Sequence, residues 1–135
     1  MGKKLKNWDE LFILTMGNSA VKQHYETAQK TGVFKLSQTK LSEFPTRLYE
    51  LKSVLRTLDL SENKLTTIPS EIGSFEQLKH LRLSKNRLTS LPDSIGQLSK
   101  LDSLSVCDND LRSLPQSVNR LSHLKQVSNK TVNFF

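Results

Sequence analysis

The sequence predicts an α/β solenoid: a curved parallel sheet on the concave face, short irregular or 3-10 segments on the convex face, and a helix over the N-terminal end. Three observations carry this reading. All four prolines fall in one register, Pro45, Pro69, Pro92 and Pro115, spaced 24, 23 and 23 residues apart. Asn63, Asn86 and Asn109 keep the same beat. Leu or Ile recurs at fixed offsets from both, and self-similarity at such a period marks a stacked-repeat architecture. Chains of this kind present long binding surfaces rather than deep reactive clefts.

Residues 1–15 fall outside the repeat. Lys3, Lys4 and Lys6 precede Leu11-Phe12-Ile13-Leu14. The apolar run is too short for a secretory signal, Asp9 and Glu10 abut it, and no A-x-A site follows. A disordered or weakly helical extension is expected. No stretch approaches the ~18 apolar residues that span a membrane. Residues 16–32 are expected to form the capping helix. Val21, Tyr25 and Ala28 share one face at i, i+4, i+7, with Lys22, Gln23, Glu26, Gln29 and Lys30 largely opposite. Asn18 or Ser19 is the N-cap, Glu26 and Lys30 form an i, i+4 pair, and Gly32 is the stop.

Residues 31–127 hold about four repeat units. The first, Thr31 to Val54, is irregular: it is one residue longer and carries Thr39 where the asparagine is due. Phe34, Leu36, Leu41, Phe44, Pro45, Leu48 and Leu51 fill its apolar positions. Leu55–Gln77, Leu78–Lys100 and Leu101–His123 each read L-x-x-L-x-[LV]-x-x-N-x-L-x-x-[LI]-P-x-x-[IV]-[GN]-x-[LF]-x-x. A fifth unit starts at Leu124 and Val127 and loses the pattern at Asn129. The tail, 128–135, is expected to be irregular. Either Phe134 and Phe135 fold back over the last repeat or the chain is a truncated product, and truncation is favoured.

Each column has a physical reading. Leu81 and Leu83 alternate with Arg82, the period-2 signature of a half-buried strand. Stacking places these strands side by side, with Leu78, Leu81, Leu83, Leu88, Leu91, Ile95 and Leu98 pointing inward. The asparagine amides can donate to and accept from buried backbone groups of neighbouring turns, forming a ladder. Pro69, Pro92 and Pro115 fit a return segment with fixed φ and no N–H to satisfy, so an α-helix is not expected there. Gly73, Gly96 and Asn119 share one position and are expected to mark a left-handed turn.

These residues give the chain its resemblance to the leucine-rich repeat family, over about 100 of its 135 residues. Met16-Gly17-Asn18-Ser19-Ala20, with Thr27 to Phe34, is similar to the opening of a small intracellular member of that family. The resemblance implies a glycine suited to N-myristoylation, Gly17, which becomes terminal only if translation starts at Met16. A single acyl chain attaches weakly, and Lys22, Lys30 and Lys35 are candidates for a second, basic signal.

The chain holds a single cysteine, Cys107, which excludes a disulfide framework and points to a reducing, cytoplasmic setting; membrane association is expected only through the acyl anchor that the resemblance implies. The net charge of +7 raises anionic partners. On the strand face, however, Asp59, Arg82 and Ser105 form one column and Glu62, Lys85 and Asp108 another, while Lys64 and Arg87 lead to Asp110. No aromatic residues interleave with these charges, so nucleic acid is not the expected partner. His24, His80 and His123 sit in unrelated contexts, and no HExxH, CxxC or GxGxxG string occurs. No catalytic residue, metal or cofactor is expected. The expected function is that of a monomeric protein-interaction module. Its contact residues are Thr57, Asp59, Ser61, Glu62, Lys79, His80, Arg82, Lys85, Ser103, Ser105, Cys107 and Asp108. An RNA-associated scaffold, or a truncated isoform without activity of its own, stays open as the alternative.

Overall fold

The computed structural model describes residues 18–128, with side chains from residue 22 onward. The expected extension over 1–15, Gly17, the side chains of Asn18, Ser19 and Val21, and residues 129–135 lie outside the described residues.

Helix α1 (Asn18–Thr31) buries Tyr25 and Ala28 and turns its polar side chains outward. Glu26 pairs at 3.9 Å with Lys22 behind it rather than with Lys30 ahead, so the expected i, i+4 partner is the other one. Gly32 ends the helix at φ +75°, donating its N–H to the Ala28 carbonyl at 2.8 Å. Glycine adopts this left-handed cap at least cost. The helix is fixed to the first coil by Tyr25, whose hydroxyl donates to the Glu50 carboxylate at 2.6 Å. The Arg47 guanidinium lies 5.3 Å from the centre of the same ring.

Five three-residue strands follow: β1 (Val33–Lys35), β2 (Thr57–Asp59), β3 (His80–Arg82), β4 (Ser103–Ser105) and β5 (Gln126–Ser128). They form one parallel sheet in sequence order. Ser128, expected in the tail, is therefore the last residue of a strand. The middle residue of each strand points inward. Phe34, Leu58, Leu81 and Leu104 are wholly buried, and Val127 is half-buried. All seven inward residues expected of the second unit, from Leu78 to Leu98, are buried.

Opposite the sheet, each proline opens a 3-10 segment: Thr46–Leu51, Ser70–Ser74, Asp93–Gln97 and Gln116–Arg120. The prolines hold φ between −64° and −74°, as their rings require. The first segment has six residues and the others five, so the extra residue of the first unit is taken up here.

The glycine column is corrected by the structure. Gly73 and Gly96 do not have positive φ. They are small because the 3-10 segments stack. A Cβ at Gly96 would lie 2.6 Å from Ser117 Cβ and 2.7 Å from the Ser117 carbonyl. One at Gly73 would lie 2.9 Å from the Ser94 carbonyl and also meet the Gln97 side chain. Asn119, at the same position, is exposed. The left-handed residues are instead Gln38, Glu62, Lys85 and Asp108, φ 57° to 59°, each directly before the Thr39 or asparagine of its coil, together with Lys40 at 58°.

Candidate functional site

That left-handed residue brings each asparagine round into the core, where it holds adjacent coils together. Asn86 donates to the Leu60 and Leu83 carbonyls, both at 3.0 Å, and accepts the Leu65 N–H at 3.0 Å. Asn109 repeats this one coil later, with Leu83, Val106 and Leu88. Asn63 donates to Leu36 and Leu60 and accepts from the N–H groups of Thr39 and Leu41. Thr39 substitutes for the missing asparagine of the first unit by donating its hydroxyl to Asn63 at 2.8 Å. The ladder expected of this column is therefore present, and the three amides are buried. It fixes the rotation of every strand, and so decides which side chains face outward.

Parallel pairing in strict register then lines the outward side chains into two columns. One is Val33, Thr57, His80, Ser103 and Gln126; the other is Lys35, Asp59, Arg82, Ser105 and Ser128. Neighbouring members of a column are separated by the strand spacing of about 4.8 Å. His80 and Ser103 use this closeness, with Nδ1 2.8 Å from the hydroxyl. Arg82 is exposed, and Thr57, His80, Ser103 and Ser105 are half-buried. A third row runs along the rim where the strands end. There Glu62, half-buried, accepts from Gln38 and lies 3.8 Å from exposed Lys85, with Asp108 exposed beyond.

Not every expected contact residue offers free surface on this face. Asp59 is only 6% exposed, and its carboxylate accepts the Ser61 N–H at 3.0 Å. It braces the turn after β2 and has little surface left to offer. Ser61 and Cys107 are half-buried in that turn's column; the Cys107 N–H donates to the Ser84 hydroxyl at 3.0 Å. Lys79 is exposed but lies before β3. There its carbonyl accepts from Asp102 and Ser103, at the edge where strands begin. Gln126, Ser128, Val33 and Lys35 extend the columns and were not among the expected contact residues, although the offset of 23 or 24 residues from their neighbours marks them. Among the described residues no group of three or more His, Cys, Asp or Glu side chains could hold a metal ion. Nor is any helix among them long and apolar enough to cross a membrane.

A groove of about 650 Å³ on the side where the chain leaves the strands escaped the sequence reading. Phe44 stacks on Tyr49 at 5.6 Å, and Phe75 meets both at 6.4 and 5.9 Å. Lys64, Arg87, Glu43 and Glu71 line it. Burial foremost, and then the Glu71 charge, push the Tyr49 hydroxyl up to about 12, so it is a donor at neutral pH.

Comparison with known proteins agrees with this geometry. A family model described as a leucine-rich repeat region matches residues 4–134. The BIR2 ectodomain from Arabidopsis thaliana superposes with a TM-score of 0.66 at 30% identity, over 75% of this chain and 55% of that one. A chain of the BIR3–SERK2 complex from the same plant does so with a TM-score of 0.62 at 36% identity, over 73% and 56%. An LRR repeats and ubiquitin-like domain-containing protein of Arabidopsis thaliana is 39% identical over 51 residues, 38% of this chain. The chain spans 14% of that relative and little more than half of the two matched structures.

Proposed function

The chain belongs to the leucine-rich repeat family, and from that premise we propose that it is an intracellular adaptor or regulatory scaffold holding a protein partner on its strand face. The observation that carries this reading is the pair of outward columns. They place Thr57, His80, Ser103, Arg82 and Ser105 on a rigid, regularly spaced surface whose geometry is fixed from behind by the asparagine ladder. Arg82 is exposed at the centre of that surface, and arginine is among the residues that most often anchor protein interfaces. One matched structure is itself a complex of two proteins, BIR3 and SERK2.

The opening Met16 to Ala20 string, which resembles leucine-rich repeat-containing protein 57, supports peripheral membrane attachment through N-myristoylation of Gly17 when translation starts at Met16. Affinity capture with the wild-type chain and with Arg82→Glu/Lys85→Glu tests the strand face. The variant is expected to lose the proteins that the wild type retains. Equal recovery of the same proteins would place the contact elsewhere. Mass spectrometry of Met16-initiated protein from cells with the acylating machinery tests the anchor, and an unmodified Gly17 would remove it.

A further inference from the structure

The side on which the chain enters the strands gathers positive charge that no single strand column displays. Backbone bonds run from Arg56 to the Gly32 carbonyl, from Lys79 to Arg56, from Asp102 to Lys79 and from Lys125 to Asp102, at 2.7 to 2.8 Å. These residues therefore form one row across all the coils. Arg56, Lys79 and Lys125 are exposed, as are Lys30, Lys52 and Lys100 close by. The row itself carries Arg56, Lys79 and Lys125 against the single carboxylate of Asp102.

At the first-coil end of this row lies a pocket of about 340 Å³. Lys30, Arg56, Gln29, Gln77 and Ser53 line it, and no carboxylate-bearing residue does. Lys100 is held at its margin by a 2.7 Å bond to Gln77 Oε1. That bond leaves the Gln77 NH2 free to donate, because an amide oxygen and nitrogen point in opposite directions. The pocket is next to the C-terminal end of α1, where unpaired carbonyls would repel an anion. Here the Gly32 N–H caps the Ala28 carbonyl at 2.8 Å, and Lys30 and Arg56 set two full positive charges against the partial negative charge of the helix end. Val54, also lining the pocket, is a large apolar side chain that is 40% exposed.

We infer that this pocket binds a phosphorylated lipid headgroup, and that the basic row lays the entry side of the solenoid on an anionic membrane surface. Two cations, two amides and a hydroxyl with no opposing carboxylate suit a compact, multiply charged phosphoryl group. Exposed Val54 suits the apolar boundary beneath the headgroups. No aromatic side chain lines the pocket, so it gives no platform for stacking bases. The strand face, on another side of each coil, stays free for a protein, and no acyl chain is required.

The test is sedimentation of the full, unacylated chain with phosphatidylcholine vesicles, with and without a phosphatidylinositol bisphosphate. Binding is expected only with the phosphorylated lipid and should weaken as salt rises. Each basic residue beside an anionic surface contributes about fivefold in affinity. Arg56→Glu with Lys30→Glu should therefore lose at least tenfold. Lys64→Glu with Arg87→Glu, on the opposite side, should bind nearly as the wild type does. Circular dichroism establishes that both variants fold. No vesicle binding, or equal loss in the two variants, overturns the inference. So does binding of soluble inositol phosphate without vesicle recruitment, or tighter retention of duplex RNA than of vesicles.

Discussion

Replacing Asn86 by alanine tests the feature on which the surface rests. Its amide makes two 3.0 Å bonds to carbonyls, of Leu60 and Leu83, and accepts one N–H, that of Leu65. The two carbonyls are shared: Leu60 also accepts from Asn63 at 3.0 Å and Leu83 from Asn109 at 2.9 Å. The group left with no partner is the buried Leu65 N–H. Orphaning it costs about 1–3 kcal/mol, and each of the two lost bonds about 0.5 kcal/mol, since their acceptors stay engaged. Asn86→Ala should therefore destabilise the fold by about 3 kcal/mol. Urea unfolding followed by far-ultraviolet circular dichroism measures this, with hydrogen exchange at Leu65 as the local readout. Asn86→Asp keeps the acceptor but turns a buried oxygen toward two carbonyls, and should cost more than alanine. A loss under about 0.5 kcal/mol in Asn86→Ala, with Leu65 still protected, would refute the ladder as a source of stability.

Further outcomes follow from the same contacts. Gly96→Ala should lower stability by about 2 kcal/mol through overpacking against Ser117, measured by thermal melting, while Asn119→Ala at the equivalent exposed position should be nearly neutral. Ser117→Ala should be neutral or stabilising by up to about 1 kcal/mol in the same assay, because the buried Ser117 hydroxyl has no hydrogen-bond partner. Tyr49, raised to about 12, favours the folded state fully below pH 10, and that contribution is lost as pH climbs to 12. The urea midpoint should therefore fall across that window, and fall less in Tyr49→Phe. Some loss will persist there, because burial and the bond to Glu50 also raise Tyr25.

The repeat was legible in the sequence because its columns use residues with singular backbone chemistry. Pro45 to Pro115 dictate φ and remove a donor, and Asn63, Asn86 and Asn109 supply both donor and acceptor from one short side chain. The strand columns followed by counting 23 residues, which placed Asp59, Arg82 and Ser105 in one column, whereas the His80–Ser103 contact was not foreseen. The sequence misleads where a residue type has two uses. Glycine serves positive φ and close approach alike, and Gly73 and Gly96 serve the second. The left-handed sites went to Gln38, Glu62, Lys85 and Asp108, which carry no such signal. Asp59 alternates outward yet is captured by the N–H two residues on. The entry-side row of Arg56, Lys79, Asp102 and Lys125 keeps the same 23-residue offset, but it lies just outside the alternating strand positions.

The six-residue first 3-10 segment, beside five in its successors, shows where this chain tolerates insertions and deletions. Lengthening there leaves strand pairing and the amide rungs untouched, since Val33 still meets Thr57 and Thr39 still reaches Asn63. A residue added between a strand and its asparagine would displace a buried amide from its acceptors. Loop grafting and epitope tags belong at the end of the first 3-10 segment, where the extra residue already sits, and the stretch from strand to asparagine should be left at its present length.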